Sequence, residues 1–110
     1  MKEIKSQFER IVQEDFNQFR EISKIFMKVE PTDADTLYQL SIDSWLLATR
    51  WSEIQSNASK MAIDFDINKT DFKDYCYQKY RQLQEMHITC RSWYRLAKED
   101  ERMLKGLEMT

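Results

Sequence analysis

The stretch His87-Ile88-Thr89-Cys90-Arg91-Ser92-Trp93-Tyr94-Arg95-Leu96 decides how the C-terminal half of the chain is divided. His87 stands at the end of one helical pattern, where a cationic imidazole suits the negative helix terminus. Thr89 belongs to the residue types that cap helix N-termini by accepting from a backbone N–H. Beyond it Trp93, Leu96, Ala97, Met103, Leu104 and Leu107 resume an apolar face at helical spacing. The pattern predicts a stop and a restart: one helix over about 71–87, a second over about 90–106, forming a helix-turn-helix-like pair. Gly106 suits a fraying C-terminal stop.

Upstream, Ile4, Phe8, Ile11, Val12, Phe16, Phe19, Ile22, Ile25, Phe26 and Val29 predict one long helix over about 3–28. Asp15 falls inside its apolar arc. Val29-Glu30-Pro31 ends it, because the residue before proline is pushed out of the α region. Thr32 is the expected N-cap of a second helix, about 33–59, with Asp33 and Asp35 in the first turn. That helix carries two apolar faces, Leu37, Leu40, Leu47, Trp51, Ile54 and Ala58 on one side and Ala34, Tyr38, Ile42 and Trp45 on the other. Such a helix is expected to be central, covered by its own chain or a partner.

Residues 60–70 are the expected loop. Ile63, Phe65 and Ile67 alternate with Asp64, Asp66 and Asn68, which predicts a short extended segment or an edge offered to a neighbouring subunit. Thr70 is the expected cap of the third helix. Phe72, Tyr75, Cys76, Tyr80, Leu83 and Met86 form that helix's apolar face, and Lys79 lays its stem along it.

These elements make an all-α chain of about four helices in a single domain, 1–110, with two long N-terminal helices and the C-terminal pair. One glycine and one proline leave little room for phosphate-cradling loops or strained catalytic turns. A formal charge of −2 provides no global cationic field. Two cysteines, Cys76 and Cys90, make no disulfide framework, and no apolar run reaches the ~20 residues of a membrane span. A cytoplasmic protein without membrane contact is expected.

The strongest constellation is a basic stripe. Arg91, Arg95, Lys98, Arg102 and Lys105 are spaced 4-3-4-3, which places them within about 80° of one helix face, opposite the apolar one. Repeated cations along a helix suit a phosphate backbone, and a solvated face balanced by Glu99 and Glu101 is the plainer alternative. Tyr94 projects beside the stripe. The other aromatics fall mainly on apolar faces, as core or interface residues.

Asp100 projects into the apolar face of the last helix as Asp15 does in the first, and an unpaired buried carboxylate is costly. Arg50 or a lysine or arginine of another subunit is one expected partner, and local fraying or helix rotation that lets the carboxylate reach water is the equal alternative. Asp15, Trp45, Trp51, Phe65 and Asp100 are therefore the expected oligomer interface. Asp64-x-Asp66-x-Asn68-x-Thr70 opens like a calcium loop, but Lys69 and Tyr75 stand where the turn glycine and bidentate glutamate are needed. His87-x-x-Cys90 with Cys76 offers at most three soft ligands, and no orienting partner supports a Cys–His nucleophile. Neither a metal, a cofactor nor an enzymatic activity is expected.

From Phe16 to Leu96 the chain resembles the small terminase subunits of tailed phages that package DNA from cohesive ends. Asp33 or Asp35 with Leu37 and Tyr38 matches the capped helix start of that family, and Trp45, Trp51 and Ile54 its aromatic-rich long helix. Leu83, Ile88, Thr89, Ser92 and Leu96 match its "Gly-Leu-Thr-Pro-x-Ser-Arg-x-x-Leu"-like ending. His87 stands in place of the glycine, Cys90 of the proline and Trp93 of the arginine, and no basic N-terminal arm precedes the first helix. The resemblance implies a non-enzymatic subunit that forms a homo-oligomeric ring, binds double-stranded viral DNA and recruits or regulates the large terminase. The alternative is a small helical interaction module, a phage inhibitor or adaptor that binds an acidic protein partner.

Overall fold

The computed structural model describes residues 2–108, with side chains described over 7–103 and at Lys105 and Gly106. The apolar assignments at Ile4, Leu104 and Leu107 therefore fall outside the described side chains. Five helices follow one another: α1 (Lys2–Ile11), α2 (Gln13–Lys28), α3 (Ala34–Ser56), α4 (Ala58–Asp64) and α5 (Lys69–Glu108). No strand occurs among the described residues. The all-α class is as expected, whereas the number of helices changes, and of the three predicted breaks between helices only the one at Pro31 remains as expected.

The largest change concerns the C-terminal pair. Residues 69–108 form one continuous helix, so Thr89 is an interior residue, no helix-turn-helix pair exists, and Gly106 is helical rather than a stop. The physical reason is register. Leu83, Met86, Cys90 and Ala97 are all buried, and their 3-4-7 spacing carries one core-facing line straight through the predicted break. Ile88 and Thr89 lower helix propensity by only a few tenths of a kcal/mol each, too little to interrupt a helix packed along that line. Forty residues at about 1.5 Å each give a rod of about 60 Å. It sets the long dimension of a molecule measuring 67 × 23 × 18 Å.

The predicted helix 3–28 is bent at Val12, whose φ and ψ are −113° and 36°. Hydrogen bonds from Val12 N to Phe8 O and from Phe16 N to Val12 O still bracket the bend. Nothing in the local sequence demands it; packing does. Phe8 turns onto Phe72 and Tyr75, with ring centroids 5.3 and 5.5 Å away.

The predicted helix 33–59 ends at Ser56, and α4 occupies the first half of the expected loop. The predicted extended segment is thus helix and turn, and no edge is offered to a neighbour. Its alternation conceals a C-terminal cap. Asp66 takes a left-handed φ of 51°, Ile67 N donates to Ala62 O, and Asp66 N donates to Ile63 O. That pair of bonds is the Schellman arrangement, with aspartate where glycine is usual. The caps also move by one or two residues. Asp33, not Thr32, caps α3 by accepting from Thr36 N and Thr36 Oγ1. Asn68, not Thr70, accepts from Asp71 N at the start of α5.

Helices α2, α3 and α5 form the body, with α3 packed most extensively on α5, and α1 and α4 close one end. The core at that end gathers Trp51, Phe72, Cys76 and Leu83 with Phe8 and Val12. A second cluster, Leu37, Leu40, Met86 and Cys90, is flanked by Phe26 and Trp93. Lys79 bridges the aromatic wall, its ammonium 4.4 Å from the Phe19 centroid and 5.4 and 5.7 Å from those of Tyr75 and Phe16. The stem lies on apolar surface as expected, and the charge rests on ring faces.

Candidate nucleic-acid interface on the C-terminal helix

The basic stripe lies on the last part of α5. Arg91, Arg95, Arg102 and Lys105 are exposed. Lys98 is half-buried: its Nζ pairs with Glu101 at 3.3 Å and lies 6.0 Å from the Tyr94 centroid. A shallow depression joins Tyr94, Arg95, Lys98, Arg102 and Lys105 with Glu99 and Glu101. Because the helix is unbroken, all five cations belong to one rigid face.

That face is not opposite the buried line, as expected, but beside it. Taking Cys90 as the core-facing direction, the stripe is centred about a quarter-turn away, on the side where α5 meets α3. After Ala97 the described residues of α5 are exposed or half-buried, including Met103 at 68 % exposure. This end of the helix projects past the body. Asp100 is therefore in water: of the two alternatives for this carboxylate, exposure is the one found, because no described residue covers that face.

The flank between α3 and α5 carries a feature missed in the sequence. Trp45 rests on His87 with ring centroids 5.2 Å apart, and Tyr38 rests on Tyr94 at 5.3 Å. His87 Nδ1 lies 2.6 Å from the Ser41 carbonyl oxygen; a carbonyl only accepts, so Nδ1 carries the proton and donates. The signal was the shared interval: 38 to 45 and 87 to 94 are both seven residues, two helical turns on antiparallel helices. Tyr38 and Trp45 nevertheless remain about half exposed, at 51 % and 53 %.

On the other flank of α3, a groove against α2 is lined by Ile22, Ile25, Leu46 and Leu47 with Glu21 and Asp43, and has a volume of about 530 Å³. A smaller hollow with Ile25, Asp35, Leu40 and Asp43 continues it.

The expected interface residues are not brought together. Asp15 is bonded within the chain, accepting from Arg50 Nε at 2.6 Å, so it needs no second subunit. Trp51 has no exposed surface and packs edge-on against Tyr75 in the core; its place as an interface residue is overturned. Trp45 and Phe65 are exposed, but Phe65 lies beside Arg10, Ile11 and Ile67, far along the chain from Trp45. Of the two apolar faces of α3, the one with Leu37, Leu40, Leu47 and Trp51 is buried against α5 and α2, and the one with Tyr38 and Trp45 leans on α5 but stays about half exposed.

Cys76 and Cys90 are fully buried in different clusters, and burial pushes their thiols up to about 12 and about 11. A thiol so raised is neutral and a poor nucleophile. No group of three or more potential metal ligands occurs among the described residues. The calcium-like segment is a helix end, a turn and a cap rather than a loop. No described helix is long and apolar enough to cross a membrane. No protein-family model, characterised protein or solved structure matches the chain.

Proposed function

We propose that the chain is a non-enzymatic DNA-packaging subunit of the small-terminase type, which oligomerises, binds double-stranded viral DNA and recruits or regulates the large terminase in the host cytoplasm. The observation that carries it is the stripe Arg91, Arg95, Lys98, Arg102 and Lys105 on a single unbroken helix whose end projects from the body. Five cations at fixed spacing suit a row of phosphates, and repetition around a ring multiplies a field that one mildly acidic chain lacks. The likeness of Asp33–Tyr38 and Ile88–Leu96 to the small-terminase pattern supports the same reading.

Fluorescence anisotropy with a duplex oligonucleotide over a salt series tests it. Wild type should bind at low salt, and neutralising Arg102 and Lys105 to glutamine should flatten the logarithmic salt slope by about 2, each phosphate contact contributing roughly 0.9. Absence of duplex binding at about 50 mM salt, where counterion release favours contact most, overturns it.

A second reading is favoured by the neighbours of the stripe. Glu99, Asp100 and Glu101 interleave with the cations, and Lys98 is already paired with Glu101. This suits a helical module docking on an acidic protein, which would form a one-to-one complex and ignore DNA.

A further inference from the structure

We infer that the α3/α5 flank of one copy docks into the α2/α3 groove of the next, a head-to-tail contact between two different faces of the same chain. It deepens the oligomeric part of the function proposed above and rests on it.

The two faces are complementary in charge. Between Gln84 and Arg95 the α3/α5 flank presents His87, Arg91, Tyr94 and Arg95 beside Tyr38 and Trp45, while Glu85, the carboxylate of that stretch, lies on the α2 side with Phe19 and Phe26. The groove presents Glu21, Asp35 and Asp43. Its cation, Arg50, is held by Asp15, and Glu21 has only a loose surface pair with Lys24 at 3.7 Å. Asp43 accepts from Gln39 Nε2, a neutral group that leaves its charge in place.

They are also complementary in apolar surface. Ile25 and Leu46 in the groove are 47 % and 59 % exposed, and the Trp45 and Tyr38 rings opposite are similarly bare. Exposed aromatics beside arginines are the composition of interface anchors.

Because the faces differ, each copy offers one of each, and the contact repeats until it closes or extends. The stripe is thereby divided. Arg91 and Arg95, beside the aromatic rungs, turn to the neighbouring copy, and Lys98, Arg102 and Lys105 remain on the projecting end for the polyanion.

The test is light scattering after size exclusion on wild type, Asp43→Arg, Arg91→Asp and their equimolar mixture, with circular dichroism to confirm helicity. Wild type at about 100 μM, well above a micromolar dissociation constant, should exceed the mass of one chain, and each variant alone should fall to it. The mixture should regain mass, since the intact flank of one variant meets the intact groove of the other. If either substitution disturbs folding, Asp43→Asn and Arg91→Gln are read in the same way with smaller shifts. A monomeric wild type overturns both the inference and the oligomeric reading. An oligomeric wild type that neither substitution dissociates, or variants that mixing does not restore, overturns the inference alone. Restoration by mixing without duplex-DNA binding leaves the contact standing and removes the DNA function.

Discussion

Arg50 on α3 reaches across to α2 and donates through Nε to Asp15 Oδ1 at 2.6 Å, with the carboxylate largely buried and the guanidinium largely exposed. Asp15 also lies in the first turn of α2, where the helix dipole favours a negative charge. The bond crosses 35 positions of sequence and ties α3 to α2 beside the acidic groove that Arg50 helps to line. Removing the arginine strands the carboxylate. Arg50→Ala should cost about 1–2 kcal/mol, discounted because the arginine side is wet. The midpoint of urea unfolding reads it, and Arg50→Lys should recover part of the loss.

Thr89 separates the two readings of α5. Were it an N-cap, Thr89→Ala would destabilise by about 1 kcal/mol. Inside a continuous helix the same change should stabilise by a few tenths of a kcal/mol, since alanine is the better helix former. Thermal unfolding of the two proteins decides the sign.

The Tyr75 hydroxyl and the Trp51 indole N–H are buried with no hydrogen-bond partner among the described residues. Burial also holds the Tyr75 phenol well above its ordinary range, with Glu9 adding to it. Tyr75→Phe keeps the ring against Phe8 and Trp51 and deletes the orphaned hydroxyl. It should stabilise by about 1 kcal/mol, within the penalty of an unsatisfied buried polar group. Urea unfolding measures it.

Asp66 holds a left-handed backbone that glycine adopts without strain. Asp66→Gly should raise stability by about 0.5–1 kcal/mol despite the greater chain entropy of glycine, because the Schellman turn after α4 is already made by backbone bonds. An increase in melting temperature is the expected readout.

Asp33 is held below the usual carboxylate range by hydrogen bonds from the Thr36 hydroxyl and backbone N–H. A depressed folded value means the cap contributes fully above the ordinary carboxylate range and is lost as pH falls through the folded one. The stability gap between wild type and Asp33→Ala should therefore be constant near neutrality and close on acidification below about pH 4. Unfolding curves at stepped pH follow it.

The helical class was legible because the apolar spacing of α2, α3 and α5 is long and regular. Pro31 marked a true boundary for the same reason that proline always does. Errors gathered where a local signal met a tertiary one. Thr89 is a good cap by type, yet Cys90 and Ala97 continue a buried line that a cap would have broken. Ile63, Phe65 and Ile67 alternate because a helix end and a Schellman turn happen to space them so. The bend at Val12 has no local signature; it answers to Phe72 and Tyr75, some 60 positions away. Within the candidate site the stripe could be read from spacing alone. Its position beside α3, the Trp45–His87 and Tyr38–Tyr94 rungs, and the groove on the far side of α3 depend on how three helices are arranged.

The unbroken course of α5 carries a mechanical consequence. Phe72 anchors the helix in the core and Lys105 rides near its far end, with no hinge or linker between them. The backbone positions that carry the cations cannot swing independently toward a ligand. In the assembly proposed above their separations would be dictated by how the bodies pack, and a polyanion of mismatched spacing would have to bend to meet them.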